Sequence, residues 1–284
     1  MEIFTTKIAL DTYLSSFRST NGTIGFVATM GALHEGHLAL IRQSKQLTEL
    51  TVCSIFVNPT QFNDPTDLEK YPRPIEQDIA LLQSVACDVL FMPSVNEMYP
   101  DQNEHWHLDL GGLDLIWEGA HRPGHYQGVT QVVKKLFDAI QPTVAFFGQK
   151  DFQQCMVIQR MVEQLGLAVQ LKIVETVRDP DGLAMSSRNV RLSSEGRKNA
   201  LALSRALFMV KQKLNQGESL LQLKREAVDF LQQSPGITLE YFAICASDTL
   251  TEIEVLEEID KPLVAILAAW VDGVRLIDNV LLIS

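Results

Sequence analysis

The sequence predicts an α/β fold: a Rossmann-like parallel sheet with helices on both faces, followed by a smaller C-terminal α+β domain. One observation carries the first part. Through the first half, short apolar runs alternate with segments of helical period, and a chain that places helices on both faces of a parallel sheet reads this way. One observation carries the second part: after about Thr176 the order changes to two helical patterns and then three strand-like runs.

Buried strands are expected over 24–28, 52–57, 88–92 and 144–147. Between them, 38–47, 75–86 and 129–140 are expected to be helices; Val129, Val132, Val133, Leu136 and Phe137 share one helical face. This βαβ alternation is how a Rossmann-like sheet reads. Helices over 194–214 and 219–231 follow, then strands over 239–246, 263–270 and 275–283, the last two joined at Asp272-Gly273. The domains are accordingly drawn at 1–176 and 177–284.

With 284 residues, 46% of them hydrophobic, the chain has ample material for packed cores. Its 24 basic and 35 acidic residues give a formal net charge of -11, which opposes binding to a phosphate backbone and argues against a nucleic-acid partner. An anionic ligand would need a local arrangement of backbone N–H groups, Lys and Arg. No apolar run approaches the about 18 residues of a membrane span, and the opening Met1-Glu2-Ile3-Phe4-Thr5-Thr6-Lys7 lacks the pattern of a secretory signal. The expectation is a cytoplasmic protein with no membrane partner. Cys53, Cys87, Cys155 and Cys245 are scattered in apolar surroundings, as buried thiols are.

The strongest local signal is Thr29-Met30-Gly31-Ala32-Leu33-His34-Glu35-Gly36-His37, between a buried strand and an amphipathic helix. Ligands of open α/β sheets collect at the carboxyl ends of the strands, and a helix N-terminus offers N–H groups and a positive dipole end to an anion. Gly31 and Gly36 would let the backbone approach a phosphate. His34 and His37, three apart, can face one phosphate. A bare His-x-x-His pair fits a surface loop equally well, and a zinc site fits less well, since no third ligand is evident. The order strand, glycine loop, two histidines, helix resembles the HxGH signature of the nucleotidyl-transferring superfamily.

Gly148-Gln149-Lys150-Asp151 sits at a second strand-to-helix turn, where Lys150 would add positive charge and Asp151 would cap a helix or hold a ribose hydroxyl; a plain capped turn is the alternative. Met185-Ser186-Ser187-Arg188 follows the turn-rich Arg178-Asp179-Pro180-Asp181-Gly182. Its hydroxyls and guanidinium suit phosphate oxygens, and a solvated turn is the alternative. The segment resembles the KMSKS loop of the same superfamily.

These segments, with Ser54-Ile55-Phe56-Val57-Asn58-Pro59-Thr60-Gln61-Phe62, Phe152-Gln153-Gln154 and Arg275-Leu276-Ile277-Asp278-Asn279, resemble the pantoate-beta-alanine ligase (pantothenate synthetase) family from the first buried strand to the C-terminal region. The resemblance implies condensation of (R)-pantoate with β-alanine through a pantoyl adenylate, with AMP and pyrophosphate released, in pantothenate and coenzyme A biosynthesis. Activation is chemically sensible, because a carboxylate has no leaving group until its oxygen is carried away on AMP.

Carried over by motif, the ATP site would comprise Met30, Gly31, Ala32, Leu33, His34, Glu35, Gly36, His37, Gly148, Gln149, Lys150, Asp151, Val177, Met185, Ser186, Ser187 and Arg188. His37 is the family's assigned proton donor and His34 its companion; Lys150, Ser186, Ser187 and Arg188 would address phosphates. Gln61 and Gln154 would hold pantoate, with Met30 and Asn58 nearby and Tyr71 a further candidate. Mg²⁺ is implied with ATP, its protein ligands unassigned, with Asp78 as an outer contact. The resemblance also implies a homodimer, and a C-terminal domain that closes over the ATP site.

Two departures stand out: Ala28 where the family usually has Pro, and Gln149 where it usually has Glu. His105 and His107 alternate along an expected strand and are read as exposed. The segment 118–126 reads as a shaped loop bordering the substrate cleft. Two rivals share the histidine loop: a nucleotidylyltransferase acting on a phosphorylated acceptor, which would call for more Lys and Arg, and a nucleotide-binding regulatory module without turnover. A tRNA synthetase is excluded by length, charge and the lack of an RNA-binding domain.

Overall fold

The computed structural model describes residues 1–62, 65–101, 104–255 and 262–283. It divides into two compact units, Met1–Gly148 with Gln153–Glu175, and Gln149–Phe152 with Thr176–Ser284. The second unit thus begins one residue before the expected 177 and takes in Gln149–Phe152, which sequence order alone assigns to the first.

The first unit opens with β1 (Glu2–Phe4), α1 (Lys7–Ser19), β2 (Ile24–Thr29), α2 (Glu35–Leu47) and β3 (Leu50–Ile55). A 3-10 turn at Pro59–Gln61 leads to α3 (Pro65–Lys70), α4 (Ile75–Ser84), β4 (Val89–Phe91), α5 (Val95–Met98) and α6 (Glu118–His121). The unit continues with α7 (His125–Ile140), β5 (Val144–Gly148), α8 (Phe152–Gln164, whose first residue belongs to the second unit) and β6 (Gln170–Val174).

All six strands are parallel, in the order β1-β4-β3-β2-β5-β6. Chain order runs outward from β2 to β3 and β4 on one side and returns to β5 and β6 on the other, so the topological switch lies between β2 and β5.

Residue alternation shows how both faces are covered. Val27, Cys53, Leu90 and Phe146 point to one side, where Leu40 and Ile41 of α2 and Leu82 of α4 complete a core. Phe26 points to the other and meets Phe137 of α7 edge-on, ring centroids 6.1 Å apart. Residues 105–107 form no strand: burial alternates from Trp106 to Leu110, but no ladder pairs the segment, and His105 and His107 are exposed.

The second unit packs α9 (Ser194–Leu214) and α10 (Leu220–Gln233) on an antiparallel sheet of β7 (Ile237–Ala246), β8 (Leu263–Val271) and β9 (Val274–Ile283), in that order. Leu203, Leu207 and Val210 of α9 share its core with Leu267, Leu276 and Val280. Among the described residues no helix is long and apolar enough to cross a membrane.

Candidate active site

The carboxyl end of β2 meets the switch point, and the chain leaves it through two successive left-handed residues, Gly31 (φ 82°) and Ala32 (φ 52°). Glycine is required at the first, where a Cβ would also stand 2.9 Å from an Asp78 oxygen. Asp78 of α4, 1% exposed, holds the turn: one oxygen accepts from Ala32 N at 2.9 Å and the other from Leu33 N at 2.7 Å. Thr29 Oγ1 donates to Ser54 O at 2.7 Å and accepts from Gly31 N at 3.2 Å. Asp78 therefore braces the loop.

His34 is the N-cap of α2, and the two histidines cap the helix reciprocally. Gly36 N donates to His34 Nδ1 at 3.2 Å, and His34 N donates to His37 Nδ1 at 3.3 Å. The rings lie 4.1 Å apart, centroid to centroid, at 43°. A backbone N–H can only donate, so both Nδ1 atoms are acceptors, and each neutral ring carries its proton on Nε2.

Several of the backbone N–H groups expected to face a phosphate have partners within the protein. The amides of Gly31, Ala32, Leu33, His34 and Gly36 all donate within the protein. At the helix start the two imidazoles carry their N–H on Nε2, beside the positive dipole end. Leu33 is a core residue at 9% exposure. The Glu35 carboxylate is turned to Arg42 at 2.8 Å, and that hydrogen bond holds it below the usual carboxylate range.

Beyond β3 the Pro59–Gln61 turn presents Gln61, 8% exposed, whose Nε2 donates to Met30 Sδ at 2.8 Å. The sequence-predicted Met30 and Gln61 thus touch. Asn58, the weaker candidate for a pantoate contact, stands behind the turn at 1% exposure. Its Nδ2 donates to Thr60 Oγ1, Gln61 Oε1 and Gly128 O at 3.0, 3.3 and 3.1 Å, and its Oδ1 accepts from Tyr99 OH at 2.8 Å. A fully bonded amide at that depth positions Gln61.

Helix α7 comes close enough because residue 128 is glycine: a Cβ there would lie 2.4 Å from Thr60 O. His125 Nδ1 donates to Gln61 O at 2.9 Å, and Arg122 Nη1 lies 3.1 Å from its Nε2. A guanidinium can only donate, so this histidine carries its proton on Nδ1. The segment 118–126 accordingly folds as α6, a left-handed Gly124 and the first turn of α7, its Arg122 and His125 reaching the Gln61 turn. Tyr71 packs edge-on to Phe62, centroids 5.9 Å apart.

Gly148 ends β5 on the other side of the switch point, and its carbonyl accepts from Cys155 Sγ at 3.4 Å. Gln154 is half-buried on α8. Gln153, to which sequence reading gave no role, is 5% exposed. It holds the 113–118 loop by accepting from Glu118 N at 3.0 Å and donating to Leu113 O and Ile116 O at 2.6 and 2.8 Å.

In the second unit, Gln149–Asp151 is a 3-10 turn with Lys150 half-buried and Asp151 exposed, Nζ to carboxylate 3.9 Å. Val177 and Arg178 pair with Ala184 and Met185 as a short hairpin, with Met185 N donating to Val177 O at 3.0 Å. Ser186 caps the following 3-10 turn, Ser187–Arg191, accepting Arg188 N at 3.2 Å. Ser186, Ser187 and Arg188 therefore project from a hydrogen-bonded turn.

All four cysteines are buried. Burial pushes the Cys87 thiol up to about 11 and the Cys245 thiol to about 12, and holds Cys53 well above its usual value, so these three are unreactive at neutral pH. Among the described residues no group of three or more His, Cys, Asp or Glu could hold a metal ion.

A parallel sheet whose strand order reverses beside a histidine-capped helix defines the class: an α/β protein with a ligand site at the carboxyl ends of its strands. Comparison with known proteins narrows this. Residues 2–281 match the family described as pantoate-beta-alanine ligase. The chain is 44% identical over 273 residues, 95% of each chain, to the pantothenate synthetase of Cytophaga hutchinsonii. It superposes on the crystal structure of pantothenate synthetase from Thermus thermophilus with a TM-score of 0.93, 42% identity and full coverage of both chains. Against pantoate-beta-alanine ligase from Francisella tularensis, complexed with beta-gamma ATP and beta-alanine, the TM-score is 0.81 at 34% identity, covering 99% of this chain and 97% of that one. The chain belongs to the pantoate-beta-alanine ligase family, and it is a ligase of pantothenate biosynthesis.

Proposed function

We propose that the enzyme joins (R)-pantoate to β-alanine in two ATP-driven half-reactions. A pantoate carboxylate oxygen attacks the α-phosphorus of ATP; the new P–O bond forms as the bond to pyrophosphate breaks, leaving pantoyl adenylate. The β-alanine amine then attacks the acyl carbon, AMP leaves with the former carboxylate oxygen, and the amine sheds a proton to give pantothenate.

The observation that carries this reading is the reciprocal histidine cap. It fixes the tautomer of two Nε2–H donors at the start of α2, and these are assigned to the α-phosphate, on which charge accumulates in the first step. Gln61 beside Met30, with Gln154 on α8, is assigned to pantoate, since a primary amide offers donor and acceptor to a hydroxy acid. Gly148 is assigned to the nucleotide with the 30–37 loop. In the second unit, Lys150 and Ser186–Arg188 are assigned to phosphates, with Gln149, Asp151, Val177 and Met185 alongside. Mg²⁺ is assigned to the ATP phosphates, where it would offset their charge. The resemblance also supports a homodimer and a cytoplasmic location.

The test is pyrophosphate release and AMP formation from Mg²⁺-ATP and pantoate, with and without β-alanine, in the wild type and in His37→Gln, which keeps an acceptor at the capping position. Pyrophosphate that requires pantoate, with free AMP and pantothenate accumulating once β-alanine is added, is expected, along with a rate loss of about 10²–10³ in the variant. Pyrophosphate release that ignores pantoate would overturn the substrate assignment.

A further inference from the structure

The turn that carries Lys150 is held from β9. Asn279, 3% exposed, donates through Nδ2 to the carbonyls of both Gln149 (3.0 Å) and Lys150 (2.8 Å). Carbonyls only accept, so the orientation of the Asn279 amide is determined, and its Oδ1 accepts from Gln149 Nε2 at 3.2 Å. Gln149 therefore matches a neighbour that needs a donor, which the glutamate usual in the family would not supply when ionised.

The strand behind Asn279 is itself pinned. Asp278, 4% exposed, grips Arg178 through both oxygens at 2.7 and 2.8 Å. The guanidinium lies 5.0 Å from the Phe208 ring centroid and donates to Gly182 O at 3.2 Å and Asn279 O at 3.3 Å. Successive strand residues face opposite ways. Asp278 lies on the face of Leu276 and Val280, toward the core, and Asn279 on the other, toward the Lys150 turn.

We infer that Asn279 is a positioning residue for the pantoate-activating step: by holding the carbonyls of residues 149 and 150 it sets the stem from which Lys150 reaches a phosphate. The inference rests on the assignment of Lys150 to the phosphates. Three residues of 3-10 turn have few hydrogen bonds of their own, so losing both Asn279 donors lets the stem drift. Displacement of a charged donor by about 1 Å costs up to about 100-fold in rate.

The test is a double-mutant cycle on pantoate-dependent pyrophosphate release, with Asn279→Asp, Lys150→Ala and the double variant, each checked by thermal melting. Asn279→Asp keeps size and shape but removes both donors. The expected result is a kcat about 10- to 100-fold lower, an unchanged KM for pantoate, whose assigned contacts Gln61 and Gln154 lie in the first unit, and no further loss in the Lys150→Ala background. Asn279→Ser, which keeps one donor, should fall between the two, and it serves if the aspartate variant does not fold. Full independent losses in the double variant, a raised pantoate KM, or wild-type rates in both Asn279 variants would overturn the positioning role while leaving Lys150 in place. A Lys150→Ala variant of undiminished rate would instead overturn the Lys150 assignment, and the inference with it.

Discussion

Replacing His34 by asparagine separates the two jobs the structure gives that histidine. As N-cap, His34 accepts one backbone N–H of α2 through Nδ1; as a candidate donor to the α-phosphate it acts through Nε2. Asparagine is among the best N-cap residues, so His34→Asn keeps the first job and deletes the second. His34→Ala deletes both. Losing an N-cap costs about 1 kcal/mol, and a unit of this size shifts by about 2–4 °C per kcal/mol. The alanine variant should therefore melt about 3 °C below the wild type and the asparagine variant within about 1 °C of it. Removal of a preorganised donor from developing charge costs about 10²–10³ in rate, and that loss should be the same in both variants. Differential scanning calorimetry and single-turnover adenylation, run side by side, read the two effects. An asparagine variant that retains activity within a few-fold would refute the argument, showing that His34 serves the helix alone.

Asp78→Asn turns one carboxylate acceptor into a donor facing a buried N–H of the 31–33 turn. It should destabilise by about 1–3 kcal/mol in urea melts; an unchanged midpoint would show that the carboxylate does not hold the turn. Gly128→Ala sets a Cβ against Thr60 O, backbone on backbone, so the Gln61 turn must move. Destabilisation of about 1–3 kcal/mol with a raised KM for pantoate is expected, and unchanged values of both would refute the contact. The buried thiols predict an alkaline limit. Folded-state values of about 11 for Cys87 and about 12 for Cys245 lie above the ordinary 9.0, so the folded state keeps protons that the unfolded chain releases. Their contribution is complete below pH 9 and is lost as pH rises toward 12. Denaturant melts across that range should show the decline, and Cys245→Ala should flatten it; an identical slope in the variant would refute the assignment.

The central strands were legible because they are buried on both faces: β2, β3 and β5 are mainly apolar runs, and the structure places them within two residues of the expected bounds. The edges were not. β1 is three residues long, and β6, Gln170–Val174, is more exposed than the central strands. Helix α1 buries only Leu10 and Leu14, a thin signal among serines and threonines. His105 and His107 show the converse error, since alternation in sequence reported alternating burial in an unpaired extended segment.

In the site, the groups assigned to chemistry announced themselves as motifs, and the groups that place them did not, because each acts across a long separation. Asp78 braces a turn 45 residues away, and Asn279 a turn about 130 away. The two use one device with opposite sign. Asp78 meets two successive N–H groups, at 32 and 33, and only a carboxylate accepts from both. Asn279 meets two successive carbonyls, at 149 and 150, and needs an amide nitrogen to donate to both. Each backbone segment thus dictates its partner by which of its groups face inward. The isosteric exchanges Asp78→Asn and Asn279→Asp then fail for the same reason, each setting donor against donor or acceptor against acceptor in a space that excludes the water that would mediate between them.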